Sequence, residues 1–463
     1  MRSDRQQCDL YHEVAVVCPG DGTGVAPVFP VMGYNLEVTI STTHWIASCR
    51  QRIHACRETS EVMNLDKLKR GTAVACFLLA TTFWAGNAYR EVHGEDLRLQ
   101  APGLENADPN GLVAWTRKVY SNGQWNATPD IAWWRDHYYV SINKGAVHNG
   151  IDGPVVVLKS ADLKKWELVY TTSGAPGKGS AVDCKLLPLP DRLLLYYIYM
   201  NRAVDPQKPG ARSYAETRAV ATRDGENWSK SQRVYQPGHN FWKPKLRDGV
   251  IYVASDYINA GRAEYVTAAE ERNPKLSRVD LLRSTDGLVW EKVSTILKDP
   301  PWSVTETAIA FRPDGELWAF TRQDFLSRSS PPYTEWTTQR AHVLGGGIAG
   351  PEMITLGEEL YLAGRFYAYL AKHGPPDSPQ TNKFATSLLK YNKSAARFQS
   401  VADLPLASYA DMGYSGFVET KEGVFLIYYS GHAYREANLG RGDYTTQTDI
   451  YLSKLNIGKA ANR

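Results

Sequence analysis

The chain has 463 residues and a formal net charge of only +4, and its 27 tyrosines and 13 tryptophans outnumber its 12 phenylalanines. No long basic run is present, so the electrostatic footprint that nucleic-acid binding needs is missing. Length alone suggests about three domains, yet all-β chains of this size form single ones, and a surplus of Tyr and Trp suits strands and a sugar-contacting surface.

Residues 1–62 show no sustained helical or strand period and read as an upstream extension outside the natural product, with translation starting at Met63. The next stretch has a basic start at Lys67, Lys69 and Arg70, an apolar run from Gly71 to Trp84, and small residues ending at Ala88. That order is the order of a secretory signal, predicting a signal peptide over 63–88 and a secreted or periplasmic product with no stable membrane anchor. The apolar run is short for a membrane span. Five of the six cysteines precede residue 89, which leaves Cys184 alone and unable to form an internal disulfide. No Cys or His cluster has metal-ligand spacing, and no cofactor is called for.

Residues 89–125 are polar apart from a strand-like piece from Gly111 to Tyr120, expected to complete the last repeat of the domain that follows. From 126 to 463 six units succeed one another, each with an inner strand pair and an outer hairpin. Their inner strands open near Pro129, Ala181, Trp242, Glu306, Gly350 and Tyr414. Helical periodicity is nearly absent. Six units of about four short antiparallel strands predict an all-β fold, a six-bladed β-propeller.

A phrase recurs along these units. Ser160-Ala161-Asp162 leads to Trp166, Thr222-Arg223-Asp224-Gly225 to Trp228, and Ser284-Thr285-Asp286-Gly287 to Trp290, with the tryptophans 62 residues apart. A fixed period with one local signature marks a repeat architecture. The chemistry is that of a hairpin turn, in which the Asp accepts backbone N–H groups and the Gly takes a positive φ.

Three places have the makings of a site. A ten-residue polar loop in the first unit carries His148 and Asp152 ahead of Pro154. Glu306 opens the fourth unit, and Arg322 closes its next strand. Tyr414 stands between Gly413 and Gly416 at the start of the sixth, aimed rather than packed.

The recurring phrase resembles the Asp-box of bacterial sialidases, which are six-bladed propellers, and the resemblance covers most of residues 125–457. In that family an Asp in a Gly-x-Asp-x-Gly-Pro-like loop is the acid/base, and Gly150-Ile151-Asp152-Gly153-Pro154 is similar. A Glu sixteen residues before an Arg supplies the helper base and a substrate-carboxylate ligand, a spacing that Glu306 and Arg322 share. The nucleophile is a Tyr in a Tyr-Ser context, matched by Tyr414-Ser415. The resemblance therefore implies a retaining exo-glycosidase with a tyrosine nucleophile, an exception to the two-carboxylate rule. Its partner would be a glycan ending in an acidic sugar.

The sequence departs from the family at the arginine triad. Where the family has an Arg on the first blade, this chain has Trp125-Asn126, and both enter as candidate substrate contacts. Arg365 is the candidate for the third arginine, though its place in the sequence puts it on the wrong side of the fifth blade's outer hairpin. Two other readings compete. One is a polysaccharide lyase acting on uronate glycans by β-elimination, with His148 and Tyr414 as base and acid and Asn126 and Arg322 neutralising the carboxylate. The other is a non-catalytic carbohydrate-binding propeller.

Overall fold

The structure, a computed structural model, describes residues 108, 110–146, 153–172, 180–202, 212–257, 266–267, 277–298, 306–322, 324–341, 348–366, 385–405, 412–434 and 447–457. Residues 1–62 and 63–88 lie outside this set, as do His148 and Asp152.

Strand β1 (Val113–Tyr120) precedes the first blade, formed by β2 (Trp125–Trp134), β3 (His137–Gly145), β4 (Val155–Ser160) and β5 (Glu167–Thr171). Blade two has β6 (Ser180–Pro188), β7 (Leu193–Arg202) and β8 (Arg212–Thr222), with the short β9 (Gln232–Arg233) and β13 (Val266–Thr267) pairing with β8. In blade three β10 (His239–Phe241) and β11 (Lys245–Arg247) share the inner place against β12 (Val250–Tyr257), followed by β14 (Arg278–Ser284) and β15 (Glu291–Lys298). Blade four is β16 (Thr307–Phe311), β17 (Leu317–Thr321), β18 (Phe325–Ser329) and β19 (Thr337–Arg340). Blade five is β20 (Ile348–Leu356), β21 (Glu359–Phe366), β22 (Ala385–Asn392) and β23 (Arg397–Asp403). Blade six is β24 (Gly413–Thr420), β25 (Gly423–Ser430) and β26 (Asp449–Leu455), with β1 added antiparallel to β26 as its outermost strand. The fold is the six-bladed, all-β propeller read from the sequence.

Apolar side chains of these strands meet between blades rather than in one central core. Cys184, Leu195 and Val220 of blade two pack with Trp134, Tyr139 and Val157 of blade one. Val279 and Leu281 of blade three pack with Ile309, Leu317 and Ala319 of blade four. The inner strands are thus buried on both faces, whereas outermost strands such as β5 and β19 are largely exposed.

The recurring turns share one hydrogen-bond pattern. In the second, the Thr222 hydroxyl accepts from Gly225 N at 2.9 Å, and Asp224 Oδ1 accepts from Glu226 N at 2.9 Å and Asn227 N at 2.8 Å. The turns at Ser160–Asp162 and Ser284–Asp286 repeat it atom for atom. Gly225 and Gly287 adopt φ of 86° and 74°, while the first turn holds Leu163 at 60° in their place. The turns also join blades. Tyr196 of blade two donates its hydroxyl to Gly287 O at 2.7 Å, and Arg192 Nη2 donates to Asp286 O at 2.8 Å, both in blade three.

Blade three differs from the expected pattern. Its inner strand begins at His239, not Trp242, and is interrupted at Trp242-Lys243-Pro244. Proline cannot donate to the ladder and bends the chain out of it. The interrupted segment sends its side chains across the centre of the ring. Trp242 Nε1 donates to Pro351 O of blade five at 2.6 Å. Lys243 Nζ lies 2.6 Å from Asp130 Oδ1 of blade one and donates to Phe417 O of blade six at 3.3 Å. Lys245 Nζ pairs with Glu352 Oε1 of blade five at 2.5 Å and also donates to Met353 O at 3.1 Å. Lys185 of blade two places its ammonium 4.3 Å from the Trp242 ring centroid.

Candidate active site

The innermost strands carry a repeated irregularity. Those of blades one, two, five and six are bulged between Ala127 and Asp130, Val182 and Lys185, Ala349 and Glu352, and Gly413 and Gly416. The first residue inside each bulge has a left-handed backbone: Thr128 at φ 45°, Asp183 at 50°, Gly350 at 59° and Tyr414 at 47°. Glu306, directly ahead of β16, shares the conformation at 64°. A bulge re-aims a side chain, and a non-glycine residue held at positive φ costs roughly 1–2 kcal/mol. Such strain recurring on several blades points from backbone to function.

Three of these positions form one contact set. Tyr414 donates its hydroxyl to Glu306 Oε1 at 2.6 Å. Arg322 Nη1 lies 2.5 Å from the same oxygen and 3.4 Å from the Tyr414 hydroxyl. Gly350 N donates to Glu306 Oε2 at 2.7 Å. A Cβ at residue 350 would fall 2.5 Å from Tyr414 Cγ, so glycine there makes room for the ring. Trp242 meets the Tyr414 ring in an edge contact, centroids 6.0 Å apart.

The electrostatics assign unequal states to the pair. Burial alone would raise the Glu306 carboxyl, but Arg322, the Tyr414 hydroxyl, Gly350 N–H and Arg365 together hold it below its ordinary value. Burial and the Glu306 charge push the Tyr414 phenol well above its ordinary range, against the pull of Arg322 and Arg365. At rest the pair is therefore carboxylate and neutral phenol. An ionised acceptor on a buried hydroxyl is the arrangement of a base poised to take a proton as that hydroxyl attacks.

Among the residues expected from sequence, the structure brings Glu306, Arg322 and Tyr414 together. Arg365 joins them. It pairs with Ala349 next to Gly350, and its guanidinium carbon lies 5.4 Å from the Tyr414 ring centroid. Asn126 and Trp125 are engaged in other contacts. Asn126 is fully buried, and its Nδ2 donates to Thr448 O at 2.8 Å and Asn122 Oδ1 at 2.7 Å, tying β2 to the segment before β26. Trp125 is 2% exposed and packs in the largest hydrophobic cluster. His148 and Asp152 lie outside the described residues.

Two carboxylates escaped the sequence reading. Asp183 occupies the blade-two position of the left-handed set, and its charge raises the Tyr414 phenol. Asp256, on β12, accepts the Glu306 backbone N–H. The available signal was an aspartate inside an apolar strand run, in Ala181-Val182-Asp183-Cys184 and in Ala254-Ser255-Asp256-Tyr257. Among the described residues, no group of three or more His, Cys, Asp and Glu is gathered as a metal ion requires.

No protein-family model and no curated protein matches the sequence. Solved structures do match in shape. A protein of unknown function from Dyadobacter fermentans superposes with a TM-score of 0.52 at 18% identity, covering 76% of this chain and 100% of its own. Trypanosoma rangeli sialidase with the inhibitor DANA gives 0.50 at 10% identity, over 73% of this chain and 56% of the sialidase. The same enzyme with sialic acid gives 0.50 at 10% identity, over 78% and 58%. The chain thus spans little more than half the length of these trypanosomal proteins. At such identities the likeness establishes the fold, a sialidase-like propeller.

Proposed function

We propose that the chain is a sialidase-like glycoside hydrolase that releases a terminal acidic sugar from a glycan with retention of configuration. The observation that carries the reading is the 2.6 Å contact between the Tyr414 hydroxyl and the Glu306 carboxylate. Tyr414 is the nucleophile, and Glu306 takes its proton. Arg322 and Arg365 bind the carboxylate of the substrate. Asp152 protonates the leaving oxygen and then activates water, and His148 is a further polar group of its loop. The recurring turns at Asp162, Asp224 and Asp286 are Asp-boxes in this reading.

The chemistry follows from charge. A sugar bearing a carboxylate at its anomeric carbon repels an anionic nucleophile. A neutral phenol approaches without that penalty and sheds its proton only as the new bond forms, while two guanidinium groups neutralise the substrate. Secretion through residues 63–88 belongs to the same reading, and N-terminal sequencing of the exported protein tests it; a mature start far from residue 89 refutes it.

The deciding experiment incubates the protein with sialosides, neutral glycosides and uronate polysaccharides, and reads reducing ends together with near-ultraviolet absorbance. The sialic acid held by the trypanosomal enzyme makes sialosides the first substrates to try. Release of a sugar without absorbance, abolished in Tyr414→Phe with binding retained, is the expected result. An unsaturated, absorbing product, or full activity in both Tyr414→Phe and Glu306→Gln, defeats the proposal.

A further inference from the structure

Glu306 works only if its backbone stays in a conformation that a glutamate does not adopt unaided. We propose that Asp256 is the positioning residue that holds Glu306 there and so sets the contact with Tyr414. The kinetic part of the test rests on the reading of that contact as base and nucleophile; the structural part does not.

Asp256 sits on the second strand of blade three, one blade away from Glu306, and is 2% exposed. Its Oδ2 accepts the Glu306 N–H. Its Oδ1 accepts from the Thr307 hydroxyl at 3.0 Å. That hydroxyl also lies 3.1 Å from Thr321 Oγ1, on the residue before Arg322. On its other side, the Glu306 carbonyl accepts from Arg322 N at 3.1 Å. The residue is therefore gripped at both its N–H and its C=O while φ stays at 64°.

Without Oδ2 the Glu306 N–H is buried and unpaired, which folded proteins avoid. The left-handed conformation then has nothing to offset its steric cost. Rotation to the ordinary region turns the carboxylate away from Tyr414 and from Gly350 N. Asp256 bonds to the Glu306 backbone rather than to its reacting oxygens, so its part is to hold the base in place.

Burial, partly countered by the bonds from Glu306 N and Thr307, pushes the Asp256 carboxyl up to about 8. Near neutral pH it is largely the neutral acid. In that form the bond to Thr307 reverses: the acid's proton is donated to the Thr307 hydroxyl oxygen, whose own hydrogen turns to Thr321 Oγ1. Asparagine has the shape of that acid and keeps one carbonyl oxygen for the Glu306 N–H. Leucine keeps the volume and removes the acceptor.

The test compares Asp256→Asn and Asp256→Leu in the full chain. The asparagine variant should keep kcat within about fivefold, with an unshifted pH profile. The leucine variant should lose at least about a hundredfold in kcat while KM on a sialoside stays within about threefold. Crystal structures supply the activity-free readout. Glu306 should keep its positive φ in Asp256→Asn and leave it in Asp256→Leu, with the Tyr414–Glu306 contact broken. Should the leucine variant fail to fold, Asp256→Ser, too short to reach the amide, carries the same expectation. Retained geometry in the leucine or serine variant overturns the proposal. Equal loss of activity in Asp256→Asn overturns it too, because acidity rather than an acceptor would then be what matters. A wild type inactive on every glycan removes the hydrolase reading and leaves the structural comparison decisive.

Discussion

Gly350→Ala tests the geometry of the candidate site without any substrate. The added Cβ would stand 2.5 Å from Tyr414 Cγ, 2.6 Å from Cδ2 and 2.8 Å from Cα. One of these contacts is with backbone, so a rotamer change cannot relieve it. Two costs combine. A φ of 59° is strained for alanine by roughly 1–2 kcal/mol, and overpacking a filled interior typically costs about 1–3 kcal/mol. The expected destabilisation is about 2–5 kcal/mol, which at roughly 2 °C per kcal/mol lowers Tm by about 4–10 °C. Calorimetry on the full chain reads the shift, and difference spectroscopy in the tyrosine and tryptophan bands reads displacement of Tyr414 against Trp242. A melting temperature within 1 °C of wild type, roughly half a kcal/mol on the same scale, means that blade five does not press on Tyr414 and that the described site geometry is wrong.

Stability should fall as pH rises from 6.5 to 8. Burial pushes Asp256 up to about 8 when folded, so its contribution is full below its unfolded value near 3.8 and is lost as pH passes 8. His239 and His432, each held down to about 4 mainly by burial, act with opposite sign, their contribution being complete above the unfolded value of 6.5 and lost as pH falls through 4. Between 6.5 and 8 Asp256 is therefore the dominant one of these three, and one bound proton corresponds to about 1.4 kcal/mol per pH unit. Urea midpoints at the two pH values should show the decline in wild type and little of it in Asp256→Asn; an equal decline in both refutes the assignment. At the centre of the ring, Asp130→Leu strands the Lys243 ammonium in the interior and should cost about 3–5 kcal/mol, most of it recovered on adding Lys243→Met. A single variant as stable as wild type under urea would mean that the Asp130–Lys243 pair carries no structural weight.

How much was legible in the sequence depends on how local the cause is. The turns at Asp162, Asp224 and Asp286 are each written within seven consecutive residues, and their regular spacing marks a repeat, while the succession of six strand units sets the blade number. Glu306 and Tyr414 were legible because each stands at a strand opening, and Arg322 because it closes the strand after Glu306 at a spacing of sixteen residues. Arg365 was harder to place. A strand position says nothing about which neighbouring blade its side chain meets until register is known, and β21 carries it back beside Gly350. Asp256, in the unbroken β12 ladder, was missed for the same reason, since its partner Glu306 belongs to the next blade, and Asp183 for a second one. A one-residue bulge decides whether a side chain points into a blade or toward the axis, and bulges leave no mark in a hydropathy pattern. The early start of β10 went unseen because Trp242-Lys243-Pro244-Lys245 is apolar and cationic by turns, like a strand, while its proline breaks the ladder. Asn126 and Trp125 were chosen by their place in a motif, and the structure uses them for closure and core packing.

The segment that crosses the ring has a consequence for how the molecule comes apart. In linear repeat arrays each unit touches only its neighbours, and the ends can open while the middle holds. Here Trp242, Lys243 and Lys245 bind blade three to blades one, five and six, which are not adjacent to it. A blade that peeled away would strip a buried ammonium or indole of its partner on the opposite side. The six units are thereby made interdependent, as spokes are once they are fastened to a common hub.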